Sequence, residues 1–309
     1  IRWTYSMTSL NILLIGGSGF VSGTLARTAV AAGHRVWAIT RGQRILPPGV
    51  TPVIVDRKDR ANFAATIEAI PQQWDLVVDS IGYEVEDAEQ DVAIFRARAS
   101  HFVFISTDSV FDPLRRRLPQ NEESGHYLTS GYGGKKRQCE LAFINSDTGS
   151  MKWTILRPCH IYGPGSLLGC VPHQSRNPQL LEVMRTGQPL HLLAGGVLLQ
   201  QPIFAADLAQ TILSCYGNPN SPGQIYMTVG PDLIEARDFY RILGEIIGVE
   251  VTIEEASVHD FLAGNPERSF FVGHRYYDMS KLRSHGLYVP STPLVEGLRQ
   301  HVASLQNGE

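Results

Sequence analysis

The chain has 309 residues, 43% of them hydrophobic, enough to bury one large core or a large and a small one. A formal net charge of −3 and a pI near 6.4 exclude a global attraction to nucleic acid or to an anionic bilayer. No apolar run approaches the roughly 20 residues that span a membrane. Cys139, Cys159, Cys170 and Cys215 lack paired spacing, so they read as reduced thiols of a cytoplasmic protein, with no disulfide or metal framework. Ile1–Ser6 reads as a remnant preceding Met7, outside the expected fold.

Asn11–Ile15 is a buried strand that runs into Gly16-Gly17-Ser18-Gly19-Phe20-Val21-Ser22-Gly23 and an alanine-rich helix stopped by Gly33. Further apolar strands are predicted at 36–40, 51–55, 76–80, 101–105 and 153–156, with helices at 61–69 and 86–98. Pro47-Pro48-Gly49 marks the turn between the second and third strands. Strands apolar throughout and spaced by helices mean a parallel sheet covered on both faces. The fold class is therefore α/β, a doubly wound parallel (Rossmann) sheet that binds a dinucleotide, over residues 7–170. Beyond Arg157-Pro158 the pattern loosens into Pro- and Gly-rich loops around helices at 179–186, 234–247 and 294–305. Residues 171–309 are expected to form mainly a smaller C-terminal substrate domain, with 204–228 returning to the main sheet.

The turn after the first strand is where a dinucleotide is expected. Glycine permits the tight strand-to-helix turn and a close approach to pyrophosphate, and the helix start supplies free N–H groups and a favourable dipole. Gly16, Ser18, Gly19, Phe20 and Val21 are the expected contacts, with Ser22 where a third glycine is usual. An NAD enzyme usually carries an acid at the end of the second strand, where this chain has Thr40 and Arg41. Arginine can pair a 2′-phosphate bidentately, so NADP is expected over NAD. Asp56, ending the third strand, either accepts from the adenine amino group or caps a helix together with Asp59.

Tyr132 and Lys136 stand four apart and share one helix face. A nearby ammonium stabilises phenolate, which lowers the phenol pKa from about 10 and lets it exchange a proton with a substrate hydroxyl. Phe104–Phe111 brings hydroxyls to the carboxyl edge of the sheet, and Thr107 is the expected donor to the substrate oxygen with Ser106 behind it. His126, Tyr127 and His173 read as plain surface or structural residues. Arg115-Arg116-Arg117 lacks interleaved aromatics and reads as a solvated loop, so no nucleic-acid partner is expected.

These features resemble the extended and atypical short-chain dehydrogenase/reductases, also called the NAD-dependent epimerase/dehydratase family, over Leu10 to Thr228. The Y-x-x-x-K of that family is Tyr132 to Lys136, and its serine or threonine falls on Thr107. Its R-P-x-x-x-Y-G-P segment is Arg157 to Pro164, which implies contacts of Pro158 near the nicotinamide and of His160 on the substrate side. Asp207-Leu208-Ala209 is similar to its D-D-[LV]-A segment. Several departures stand out. Asp108-Ser109 replaces the Asp-Glu of sugar-nucleotide dehydratases, Gln200 replaces a diphosphate-binding arginine, and Asp79-Ser80-Ile81-Gly82 replaces H-x-A-A. Ser106 to Asp112 is closer to the dTDP-dehydrorhamnose reductases, and the set of changes resembles an atypical branch that includes chloroplast RNA-binding stem-loop proteins.

The resemblance implies an oxidoreductase or epimerase acting on a secondary alcohol or ketone of a sugar or nucleotide sugar. Tyr132 is the expected acid/base, and Lys136 its pKa tuner and ribose anchor. Asp108, Ser109, His160 and Arg275 are the expected substrate contacts, Arg275 being preferred to Arg268 and His274 as substitute for the missing arginine. A homodimer is allowed. The alternative is a non-catalytic or RNA-binding member.

Overall fold

The computed structural model describes residues 9–123, 125–170 and 174–307. Ile1–Ser6 and His173 lie outside them. Strand β1 (Asn11–Ile15) leads through the glycine turn into α1 (Phe20–Ala31) and β2 (Arg35–Thr40). Then come β3 (Val50–Ile54), α2 (Arg60–Ala69), β4 (Trp74–Asp79), α3 (Val85–Phe95) and β5 (Ala99–Ile105). Helix α4 (Gly131–Asn145), β6 (Lys152–Pro158), α5 (Leu180–Arg185), α6 (Ala205–Cys215), a strand at Gln224–Thr228, α7 (Ala236–Ile247) and a helix at Leu294–Gln306 follow.

Seven parallel strands form one sheet in the order Gln224–Thr228, β6, β5, β4, β1, β2, β3. The order reverses at β1, between β4 and β2, and ligands of open α/β sheets bind outside the carboxyl ends at such a reversal. Strand residues alternate between two buried layers. Ile12 and Leu14 pack with Leu25 and Ala29 of α1 and Leu208 and Ile212 of α6. Leu13 and Ile15 pack with Phe63 of α2, Phe95 of α3 and Phe143 of α4. Burial on both faces is why these strands carry unbroken apolar runs rather than alternating ones.

A third apolar cluster lies in the C-terminal part, around Leu180, Met184, Leu190, Phe239, Leu243 and Leu298. Its polypeptide is tied to the sheet by Asp207 of α6. That carboxylate accepts from the backbone N–H of Ser291 (3.0 Å) and Thr292 (2.7 Å) and from the hydroxyl of Tyr288 (2.8 Å). Among the described residues no helix is long and apolar enough to cross a membrane.

Candidate active site

A cavity of about 450 Å³ opens over the carboxyl ends of β1, β2 and β3, lined by Gly16, Gly17, Ser18, Gly19, Arg41 and Asp56 among others. Gly16 adopts φ +89°, a left-handed value that penalises any side chain, and a Cβ on Gly17 would stand 2.3 Å from the Ala38 Cβ. Ser22, in place of a third glycine, acts locally, its Oγ accepting from the N-cap N–H of Gly19 at 3.2 Å. No acidic side chain sits in the first turn of α1, so the free N–H groups there face an anion without competition. These residues fit a dinucleotide pyrophosphate.

Four cations line the adenosine end. Lys58 is paired with Asp87 (2.8 Å), and Arg57 is buried against Asp79 (2.7 Å) and Asp91 (3.0 Å). Arg41 and Arg44 are exposed, and among the described residues no carboxylate lies within 4.0 Å of either. Asp56 accepts from the Lys58 N–H at 2.9 Å, while Asp59 caps α2 through the Asn62 N–H. Asp56 is therefore free of the capping role and faces the cavity.

On the opposite side of the reversal, α4 presents Tyr132 and Lys136. Its first turn contains Gly133 and Gly134, poor helix formers by about 1 kcal/mol each. Close approach explains both. A Cβ at Gly133 would stand 1.9 Å from the Ser109 carbonyl oxygen, and one at Gly134 would stand 2.6 Å from the Thr129 carbonyl carbon. This contact sets Tyr132 beside the Thr107 hydroxyl, with the residue as a whole 45% exposed. Burial, and then Tyr83 beside it, push the phenol up to about 12, and the nearby Thr107 hydroxyl opposes that rise.

Lys136 departs from the sequence expectation. Its Nζ is fully buried and donates to the carbonyls of Gly82 (2.8 Å) and Ile105 (2.6 Å), with no hydrogen bond to the Tyr132 phenol. Burial pulls its pKa down to about 8, and Asp79 opposes that. The ammonium lies under the Phe104 ring at 4.2 Å and the Tyr83 ring at 5.5 Å. The 79–83 turn that supplies the Gly82 carbonyl is fixed by Asp79, which accepts from the Ile81 N–H at 2.8 Å. Here the departure from H-x-A-A has its reason, since a Cβ at Gly82 would meet Asp79 at 2.3 Å and Phe104 at 2.9 Å.

Ser106 also departs from expectation. Its Oγ donates to Glu140 at 2.6 Å, away from Thr107. Glu140 is in turn clasped by both Nε (2.8 Å) and Nη2 (2.7 Å) of the buried Arg157. Burial would raise the Glu140 carboxyl, but Arg157 and the bond from Ser106 hold it below the usual carboxylate range. Ser106 and Arg157 thus pin α4 to the ends of β5 and β6. They hold in place the helix that carries Tyr132 and Lys136.

The substrate-side residues are distributed unevenly. Asp108 is buried and accepts from the Tyr277 hydroxyl at 2.7 Å. Arg275 lies 3.2 Å from the same carboxylate oxygen, too misaligned for a hydrogen bond, so its Nε has no acceptor. Arg275 and Asp108, both expected substrate contacts, lie against each other. Ser109 is buried and donates its N–H to Thr107 Oγ1 at 3.1 Å, orienting that hydroxyl. His160 stacks edge-on to Phe239, and burial followed by Arg275 holds its imidazole at about 3, so it is neutral at working pH. Pro158 is buried in the sheet opposite Thr228. Gln200 is buried with an unsatisfied Oε1, Arg268 is exposed against Phe261 and Phe271, and His274 is exposed and accepts from the Leu199 N–H. Sequence reasoning missed Tyr83, which stands 6.4 Å ring to ring from Tyr132 and lines the dinucleotide cavity. It lies in no motif, so only the tertiary contact reveals it.

A doubly wound sheet with a dinucleotide cavity, and a tyrosine, lysine and threonine at the same edge, defines a nicotinamide-type redox scaffold. The chain belongs to the NAD-dependent epimerase/dehydratase family, whose model matches residues 12–228. It is 24% identical over 305 residues to the chloroplast stem-loop binding protein of 41 kDa b of Arabidopsis thaliana, covering 93% of this chain and 77% of that protein. Among solved structures it is similar to epimerase Mth375 of Methanothermobacter thermautotrophicus, with a TM-score of 0.78, 16% identity and coverage of 97% and 93% of the two chains. It is also similar to UDP-glucose 4-epimerase of Thermotoga maritima, solved with UDP-glucose, with a TM-score of 0.76, 18% identity and coverage of 97% and 99%. At these identities the structural likeness establishes the fold.

Proposed function

We propose that this protein is a nicotinamide-dependent epimerase or reductase that oxidises or reduces a secondary alcohol or ketone of a nucleotide sugar, with NADP preferred to NAD. The observation that carries the reading is the half-exposed Tyr132 beside the Thr107 hydroxyl at the carboxyl edge, with Lys136 one helical turn on and the glycine-loop cavity on the other side of the strand reversal. A bound nicotinamide supplies hydride transfer to or from the substrate carbon. Tyr132, protonated in the free protein, gives a proton to a substrate carbonyl oxygen or, once ionised, takes one from a hydroxyl. Thr107, oriented by Ser109, holds that oxygen. Lys136 is charged below about pH 8 and keeps the field near the cofactor ribose positive. Unpaired Arg41 and Arg44 support the NADP preference, and the UDP-glucose held by a similar structure supports the substrate class.

Tyr132→Phe tests the reading. Turnover of UDP-glucose should fall by about 10² to 10⁴, the usual worth of a positioned proton donor, while dinucleotide affinity stays unchanged. Near-normal turnover in the variant would remove Tyr132 from the mechanism. Net consumption of NADPH separates a reductase from an epimerase, which returns its hydride. A second reading, RNA binding without turnover, is favoured by the name of the Arabidopsis relative. Against it stand the acidic balance and the arginine run, where Arg115 pairs with Asp112 and Arg116 turns to the His274 carbonyl. A gel shift with a stem-loop RNA, retained in Tyr132→Phe, would favour that second reading.

A further inference from the structure

The turn after β4 stands directly under Lys136. The lysine Nζ donates to the Gly82 carbonyl of that turn at 2.8 Å and to the Ile105 carbonyl at 2.6 Å. Asp79 meets Gly82 from the other side, where a Cβ would stand 2.3 Å from the Asp79 Oδ2. Its Oδ1 accepts from the Ile81 N–H at 2.8 Å, which closes the turn and aims the Gly82 carbonyl. Its Oδ2 accepts from the Arg57 Nη1 at 2.7 Å. Arg57 lines the dinucleotide cavity together with Ile81 and Tyr83. Contacts therefore run unbroken from the cavity wall through Arg57 and Asp79 to the turn and the ammonium.

A second buried acid shares the same arginine. Asp91 of α3 accepts from the Arg57 Nη2 at 3.0 Å through Oδ1, while its Oδ2 has no hydrogen-bond partner. Hydrogen bonds to both oxygens favour an ionised carboxylate, and a buried oxygen left bare favours the protonated acid. Asp79 is thus the ionised member of the pair and Asp91 the neutral one. Burial would raise Asp79, but Arg57 holds it below the usual carboxylate range, whereas burial raises Asp91 well above that range despite Arg57. The other groups around the lysine are committed elsewhere. Asp87 of α3 pairs with Lys58 and Arg60, both at 2.8 Å, and Glu140 of α4 pairs with Arg157 at 2.7 Å. Burial pushes the Cys139 thiol and the Tyr132 phenol each up to about 12 and raises the Tyr83 phenol, so all three are neutral. Asp79 is the anion whose contacts reach the ammonium.

We propose that Asp79, oriented by Arg57, is the positioning residue of Lys136: it holds the Gly82 carbonyl against the ammonium and supplies the negative charge that balances it. The proposal deepens the nicotinamide reading and rests on it for the use made of the lysine. Two neutral carbonyls alone would leave a desolvated ammonium that gives up its proton readily. Burial pulls the lysine down to about 8, and Asp79 is the foremost group opposing that fall.

NMR titration of protein labelled with ¹³Cε-lysine tests it and needs neither cofactor nor substrate. The Lys136 signal is the one missing from Lys136→Met, and in the unmutated protein it should titrate at about pH 8. Asp79→Asn keeps an acceptor for the Ile81 N–H and removes the charge, so the Lys136 midpoint should fall by about 1 unit or more. The pH at which dinucleotide affinity weakens should fall with it. Asp91→Asn imitates the protonated acid and should leave both unchanged. Should Asp79→Asn not fold, carboxyl ¹³C spectra decide: the signal lost in Asp91→Asn should be that of an acid still protonated at about pH 5, above the ordinary aspartate value. An unchanged Lys136 midpoint in folded Asp79→Asn overturns the proposal. So does a fall of the same size in Asp91→Asn, or the loss there of an ionised signal. A midpoint that falls in Asp79→Asn, in a protein that binds no dinucleotide, upholds the positioning role and overturns the nicotinamide reading instead.

Discussion

Gly133→Ala probes the contact that positions the reactive phenol. Taken as a helix substitution alone, it should stabilise α4 by about 1 kcal/mol. The structure predicts the reverse. The new methyl would stand 1.9 Å from the Ser109 carbonyl oxygen and 2.8 Å from its carbonyl carbon, so the backbone of α4 must part from the 107–111 segment by about 1 Å. Overpacking of this kind costs about 1–3 kcal/mol, which cancels or exceeds the helix gain. The chemical consequence is larger. Tyr132 adjoins the displaced residue and Thr107 lies on the other side of the gap, and a misplacement of 1 Å costs on the order of 10²-fold in turnover. The dinucleotide cavity is built from β1, β2 and β3, so cofactor affinity should survive. The assay combines UDP-glucose turnover, dinucleotide calorimetry and thermal unfolding, with Lys135→Ala, exposed on the same helix, as control. Turnover within about 3-fold of the unmutated protein, together with a raised melting temperature, would refute the claim that this contact sets the catalytic geometry.

Two further outcomes follow from the cofactor side. NADP should bind more tightly than NAD, and Arg41→Ala should narrow the gap by about 1.5–3 kcal/mol, the usual worth of a hydrogen bond to a charged group. Calorimetric affinities equal for the two cofactors in the unmutated protein would end that assignment. For Lys136 the pH sign is explicit. Its pKa in the fold, about 8, lies below the ordinary 10.5, so the residue is charged at pH 7 and neutral at pH 9. Dinucleotide affinity should be flat below about pH 7 and weaken through pH 8, and Lys136→Met should abolish the pH step. Fold stability attributable to this lysine runs the opposite way. It rises between about pH 8 and 10.5, where the unfolded chain holds the proton and the folded one does not. An affinity that strengthens through pH 8 would contradict this placement of the lysine.

The sequence by itself determined the scaffold. Unbroken apolar strands spaced by helices can only be buried on both faces, and that pattern specified the parallel sheet, its glycine turn and the place of Tyr132 and Lys136 on one helix. Element ends shifted by a few residues, as in α3, predicted to Arg98 and ending at Phe95, because local propensity does not set where packing stops. Tertiary structure alone decided what each polar side chain faces. Ser106 and Thr107 are neighbours in a strand-end segment where successive side chains diverge, so one donates to Glu140 and the other accepts from the Ser109 N–H on the Tyr132 side, a difference no spacing rule carries. Asp108 and Arg275 are far apart in the chain, and their pairing depends on how the C-terminal part folds back over the sheet. The buried ammonium of Lys136 was equally invisible. Its two carbonyl partners come from β5 and from the turn after β4, brought together by the order of strands and not by their sequence neighbours. A motif names the groups available to a site. The packing of distant segments decides which of them are free to act.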